Sequence, residues 1–319
     1  MKVDVCATEA HYLAHMLPIW AALPDEMRGE VHPLGTVGHP PHPRRGRVAL
    51  VAGWQDVHPL RGLCDMIYVE HGAGQTYLDN PNQPSYSGSG GQRHQGVIGY
   101  ISPNSTVAAR WKKPAAAVGC PKMDRWRIPP TPPKPSVCFA WHWMCTVAPE
   151  TKSAWPHYSA RMGEVIERYQ DQGFEVLIHE HPRWRGKLVH EWGERFDVEV
   201  LRSDVEVFER ASILMVDNSS LATEFMLLDR PVVWLNAPWY RRDVHHGGRF
   251  WEWTDGVPCI DHPEALLRLN LWDVNAWQVD PTVDTRSHQW AHARRTYEFV
   301  DGGASMRAAA FIAQLLEGK

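Results

Sequence analysis

Apolar residues fall into two alternating patterns along this chain. Short, nearly unbroken apolar runs lie at Val3–Cys6, Val48–Ala52, Met66–Val69 and Ala115–Gly119. They recur at Val137–Trp141, Phe174–His179, Val198–Leu201, Ile213–Val216 and Val232–Leu235. Runs this short, bounded by polar and glycine-rich stretches, predict buried strands. Between them lie stretches of helical period: Glu9–Ala22, Ala154–Gln172 ending at Gly173, Asp204–Ala211, and Leu221, Phe225 and Leu228 on one helix face. A last helix is expected over Ala304–Leu316, after Gly302-Gly303. Strands alternating with helices predict mainly parallel sheets covered on both faces.

Residues 129–135 hold five prolines in seven positions and form neither helix nor central strand. They predict a stiff, extended linker. The expected organisation is an N-terminal Rossmann-like domain over 1–128, the linker over 129–135, and a second Rossmann-like domain over 136–319. The final helix can pack back on the first domain. At 319 residues the chain suits two domains of ordinary size. In such an α/β arrangement, ligands bind at strand C-termini facing an interdomain cleft.

Composition narrows the function. The 33 Lys plus Arg against 37 Asp plus Glu argue against a dedicated nucleic-acid binder. No apolar run approaches the ~20 residues of a membrane span, and Met1–Cys6 reads as a first strand, not a signal peptide. The six scattered cysteines, without a CxxC pair, fit reduced thiols in a cytoplasmic protein. The 16 tryptophans are expected mostly in packing. The pairs Trp141/Trp143 and Trp251/Trp253, at strand-like i, i+2 spacing, could floor a pocket.

Three segments carry candidate chemistry. In Ile213–Phe225 a strand meets a polar turn, Asp217-Asn218-Ser219-Ser220, and a helix. The turn's side chains are expected to cap a helix start suited to an anion, with Glu224 one turn in, within reach of a ribose hydroxyl. After Met66–Val69 come Glu70-His71-Gly72-Ala73-Gly74: Gly72 and Gly74 allow close backbone approach, and His71 is a candidate general base. After Phe174–His179 come His181 and Arg183, candidate phosphate donors; two histidines without a third ligand make a weak metal site. No Asp-x-Asp pair is present for metal-bridged diphosphate chemistry, so neither metal nor cofactor is expected. Lys122 could neutralise phosphate, although a solvated lysine is the ordinary expectation. The polar stretch from Asp79 to Gly96 reads equally as a lid or as a plain surface loop.

Together these pieces resemble the CDP-glycerol glycerophosphotransferase family, which builds teichoic-acid polymers on a two-domain GT-B glycosyltransferase fold. The resemblance rests on His71-Gly72, Gly119-Cys120-Pro121-Lys122-Met123-Asp124, His181-Pro182, Asp217-Asn218-Ser219-Ser220, Arg230-Pro231, and the final helix start at Phe299–Ser305. They occur in the family's order over roughly residues 65–315. The sequence departs from the family pattern at Glu70, where a tryptophan is usual, at Lys122 for arginine and at Asn218 for tyrosine.

The resemblance implies that His71 deprotonates an acceptor hydroxyl. It also implies that Ser219 and Ser220 hold the donor diphosphate with help from His181. The expected function is transfer of a glycosyl or polyol-phosphate group from a nucleotide-diphosphate donor to a hydroxyl-bearing acceptor, with domain closure excluding water. Two alternatives stand beside it: a nucleotide-sugar epimerase or hydrolase, and a non-catalytic nucleotide- or carbohydrate-binding scaffold.

Overall fold

The computed structural model describes residues 1–36, 38–72, 96–109, 111, 113–145, 152–184, 188, 192–196, 198–240, 258–279, 282 and 284–317. Of the residues singled out above, Ala73, Gly74, residues 79–95, Trp251 and Trp253 lie outside them. The chain divides into two compact units, Met1–Arg127 with Arg294–Lys319, and Ile128–Ala293.

The first unit is built on a six-stranded sheet: β1 (Val3–Val5), β2 (Arg28–Val31), β3 (Val48–Val51), β4 (Met66–Val69), β5 (Val97–Ser102) and β6 (Ala115–Ala117). All its pairings are parallel, in the order β2-β1-β3-β4-β5-β6. Its helices are α1 (Ala10–Ala22), α2 (Trp54–Leu60), α3 (Ser105–Ala108) and the chain's last, α11 (Ala304–Leu316).

Strand periodicity divides the core in two. Val3, Val5, Val48, Leu50, Ile67 and Val69 pack with Met16 and Ile19 of α1 and with Ala308 and Ile312 of α11. The alternate residues Ala49, Val51, Met66 and Tyr68 pack on the other face with Val57 and Leu60 of α2 and with Trp111. Side chains point alternately to the two faces of a sheet, so a strand buried on both is apolar at nearly every position. The exception in β1, buried Asp4, is satisfied by the Glu30 and Arg44 amides and Arg47. All four residues of β3 meet that condition.

The second unit has β7 (Ser136–Trp141), β8 (Glu175–Glu180), β9 (Glu199–Leu201), β10 (Ile213–Val216), β11 (Val232–Leu235) and β12 (Cys259–Ile260). They form a second six-stranded parallel sheet in the order β12-β11-β10-β7-β8-β9. Counted from β7 this is the doubly wound order of dinucleotide-binding domains. Its helices are α4 (Trp155–Tyr158), α5 (Met162–Asp171), α6 (Asp204–Arg210), α7 (Leu221–Met226), α8 (Pro263–Arg268), α9 (Leu271–Asn275) and α10 (Thr285–Thr296). The chain returns to the first unit within α10.

The helix expected over Ala154–Gln172 is broken. A 3₁₀ turn at Ser159–Arg161 separates α4 from α5. The cause is tertiary: the Tyr158 hydroxyl is held by the carbonyls of Asn236, at 2.9 Å, and Ile260, at 2.6 Å. That anchor outweighs helical periodicity. At the far end Gly173, at φ +86°, stops α5 as expected.

The proline-rich segment is tied to the second unit. Buried Arg230 donates to the carbonyls of Phe208 (2.7 Å), Ala211 (2.8 Å) and Pro130. Burial lowers its guanidinium to about 10. The Arg-Pro pair that carried the resemblance therefore has a structural task here.

Candidate functional site

In a doubly wound sheet the strand order reverses at one point, and the flanking loops diverge there to leave a crevice beyond the strand C-termini. In the second unit this point lies between β7 and β10. Ala140 pairs with Val216 at their ends, which sets His142 and Trp143 beside Asp217-Asn218-Ser219-Ser220.

Asp217 secures this junction. Its carboxylate accepts from the amides of His142 (2.9 and 3.1 Å), Ala154 (3.0 Å) and Asn218 (2.6 Å), and from the Ser153 hydroxyl at 2.9 Å. Burial pushes its carboxyl up to about 6, against the pull of those donors. The expectation that Asp217 caps the following helix is thus corrected: the carboxylate is committed to the β7 end and to the segment leading into α4. The helix start is also plainer than expected. Ser220, the N-cap of α7, is in helical conformation and makes no side-chain cap bond, whereas the Ser219 hydroxyl accepts from the Leu221 amide at 3.3 Å.

Asn218 is buried and its Nδ2 donates to the Lys152 carbonyl at 3.4 Å, while its Oδ1 has no hydrogen-bond partner. A buried amide oxygen left without a donor is costly, so this oxygen is an unsatisfied group at the turn. Glu224, one turn into α7, is wholly buried.

One strand further, β8 delivers His181 and Arg183. The His181 amide donates to the Trp141 carbonyl at 3.2 Å, and its Nδ1 accepts from the Arg183 amide at 3.2 Å. With Nδ1 as acceptor, the neutral ring carries its proton on Nε2, the tautomer that can donate to an anion. The ring lies 5.1 Å from that of His142, and the Arg183 guanidinium sits over Trp143 at 4.6 Å from the ring centroid. His181, Arg183, His142 and Trp143 are thus brought together at adjoining strand ends. His179 is directed elsewhere, buried, with Nε2 3.3 Å from Asp204. Trp141 is core, edge-on to Trp155 at 5.2 Å, and forms no pocket floor with Trp143.

The first unit gathers a different set beyond its strand ends. His71 follows β4, and its Nδ1 donates to the Ala52 carbonyl after β3. That bond leaves the lone pair of a neutral ring on Nε2, as a general base requires. The Tyr12 ring lies 4.6 Å from His71 and 4.3 Å from His11, with His15 6.4 Å from His71. Gly53 makes room for Tyr12, since a Cβ there would stand 2.5 Å from the Tyr12 ring. Gly72 is left-handed, at φ +73°, a conformation glycine adopts without strain.

Lys122, expected to be solvated or phosphate-bound, is buried in the 3₁₀ turn Pro121–Trp126. Its neighbour Asp124 accepts from the amides of Ala304 (3.0 Å) and Ser305 (2.6 Å), so this element of the resemblance caps α11. Gly119, at φ +93°, is forced by the Phe299 carbonyl, 2.5 Å from where a Cβ would lie. The sequence reading missed His142, His11 and the clamp role of Asp217, and it paired Trp143 with Trp141 instead of with Arg183. Only the order of strands places His142 and His11, and that order was not legible in the residues.

No family model matches the chain, and no curated protein matches it in sequence. Solved structures do match. The wall teichoic acid polymerase TagF aligns with a TM-score of 0.59 at 12% identity, over 99% of this chain and 89% of that one. The S. aureus MnaA–UDP co-structure aligns at 0.55 and 13%, over 100% and 98% of the two chains. The UDP-N-acetylglucosamine 2-epimerase from Rickettsia bellii aligns at 0.55 and 12%, over 99% and 96%. Identities this low speak for architecture alone: two parallel six-stranded α/β domains of the TagF-like GT-B fold.

Proposed function

We propose that the protein is a GT-B transferase that moves a glycosyl or polyol-phosphate group from a nucleotide-diphosphate donor to an acceptor hydroxyl. The observation that carries this reading is the junction of β7 and β10, with an anion-donating set one strand away. His181 presents Nε2–H, Arg183 adds a fixed cation, and the Ser219 and Ser220 hydroxyls stand at the same strand ends. Lys122 and Glu224 are buried and are not assigned to the donor.

In the first unit His71 takes the acceptor proton while the acceptor oxygen bonds to the donor carbon or phosphorus. The nucleotide phosphate departs toward His181 and Arg183, whose charge-assisted hydrogen bonds stabilise it. The side chains supply both the base and the anion stabilisation, so the reading requires no metal or cofactor.

A second reading is favoured by the likeness to UDP-N-acetylglucosamine 2-epimerases: turnover of a nucleotide sugar without an acceptor. The test is thermal stabilisation by CDP, UDP, GDP, ADP and TDP, on wild type and on Ser219→Ala/Ser220→Ala. One diphosphate should stabilise wild type and lose most of that effect in the double variant. Its parent nucleotide-linked donors are then incubated with and without acceptors; consumption without any acceptor selects the epimerase or hydrolase. A folded protein that responds to none of the five refutes the donor site.

A further inference from the structure

A hydrogen-bonded chain runs through the loop after β1 and the start of α2. The Thr8 hydroxyl donates to buried Asp56 at 2.6 Å. The Gln55 amide nitrogen donates both to the Thr8 oxygen and to Glu9 Oε1, each at 2.8 Å. Both Gln55 N–H bonds are thereby used, and the Glu9 carboxylate is fixed from one side. Its other oxygen, Oε2, lies 3.3 Å from His11 Nδ1, within ion-pair range of a protonated ring but not aligned as a hydrogen bond. The His11 ring centroid is in turn 6.0 Å from that of His71.

The two imidazoles have different supports. His71 Nδ1 meets the neutral carbonyl of Ala52, whereas His11 Nδ1 meets a carboxylate. A carboxylate stabilises an imidazolium by charge as well as by orientation; a carbonyl orients only. Gln55, Thr8 and Asp56 lock the carboxylate in place, as positioned groups behind a reactive side chain do. Among the described residues, the titratable groups linked to His11 are Glu9, Tyr12 and His71, with His15 one turn along α1 and Asp56 behind Thr8.

We propose that His11, with the Glu9 carboxylate at ion-pair distance, is a second acid–base residue of this site and receives the proton that His71 removes from the acceptor. This rests on the reading of the first unit as the acceptor side. The acceptor O–H bond breaks as its oxygen bonds to the donor carbon or phosphorus. The proton goes to His71 Nε2 and then to His11, through one bridging water, and the bond to the nucleotide phosphate breaks with its electron pair. His71 returns neutral, and the charge rests on the imidazole that has a carboxylate beside it.

Two measurements on the full-length chain test this. In histidine-labelled protein, NMR titration should show the His11 midpoint falling by about one pH unit in Glu9→Gln. The His71 midpoint should shift in His11→Gln, as coupled sites require. Unmoved midpoints overturn the proposal whether or not any donor is turned over.

With the active donor, His11→Gln and Glu9→Gln should each lower kcat about tenfold and displace the acid limb of the pH profile. The double variant should be no slower than His11→Gln alone, because paired residues are not additive. Additive losses, or an unchanged pH profile, overturn the pair while leaving His71 as sole base. Full activity in His71→Gln would instead overturn the acceptor-side reading itself.

Discussion

The two sheets end in opposite kinds of chemistry. Beyond the strands of the first unit stand groups that exchange protons: His71, His11, His15 and Glu9, with Tyr12 between two of the rings. Beyond those of the second stand groups that donate to anions: His181 in its Nε2–H tautomer, Arg183, Ser219 and Ser220. The central carboxylate there, Asp217, is committed to backbone amides and a serine hydroxyl. On the proposed function, two similar α/β scaffolds would separate the handling of a proton from the handling of a leaving phosphate. The difference comes from a few residues after each strand, since both frameworks are parallel sheets buried on both faces.

The largest effect expected from breaking this contrast is on His71. His71→Gln keeps a side chain that can still bond the Ala52 carbonyl but removes the base. It should lower kcat about a thousandfold and leave nucleotide-induced thermal stabilisation unchanged. Loss of that stabilisation would mean the two chemistries are not separate.

A second test concerns Asp217. Asp217→Ala strands three buried amides and the Ser153 hydroxyl, at about 1–3 kcal/mol for each unsatisfied group. Denaturant unfolding should show a loss of several kcal/mol, together with loss of nucleotide binding. A stable variant would contradict the clamp.

The smallest effect separates Asp217 from Asp56. Burial raises both carboxyls to about 6, but the Asp56 carboxyl is held by Thr8, and its Oδ2 has no hydrogen-bond partner. Between the ordinary value of 3.8 and about 6, folded Asp56 keeps a proton that the unfolded chain has released. Stability from this group therefore falls as pH rises through that window and is level above it. Asp56→Asn removes the cost, so its Tm relative to wild type should climb between pH 4 and pH 6.5, by at most about 3 kcal/mol of stability. A constant difference across that range would show that Asp56 is not the titrating group.

Much of the framework was legible because buried parallel strands are apolar nearly throughout. β4 and β10 were read at their actual limits, and β3 within a residue, from their composition. The strands that were missed do not carry that signal. β2 is polar and partly exposed at the sheet edge, β12 is two residues long, and β5 has a glycine in its middle that lies close under Leu315 of α11. At the candidate sites, residues immediately following an apolar run could be picked out, as His71, His181 and Ser219 were. His142 also follows an apolar run directly but was passed over, and His11 lies inside a helical stretch; the relevance of both depends on which strands are neighbours. Local pattern also misjudged Asp217, whose capping composition is overridden by partners as distant in sequence as His142 and Ser153.

The return of the chain to its first unit has a consequence during synthesis. Ala308, Ala309, Ile312 and Leu316 belong to the same core as Val3, Val5 and α1, and Asp124 holds the start of that helix. A ribosome releases residues 128–293 as one contiguous, self-contained stretch, whereas the earlier-made unit must wait, with one flank of its core uncovered, until the last helix emerges. The half of the protein translated first is therefore the half completed last. An early stop codon ahead of α11 would harm the N-terminal half more than the one it interrupts.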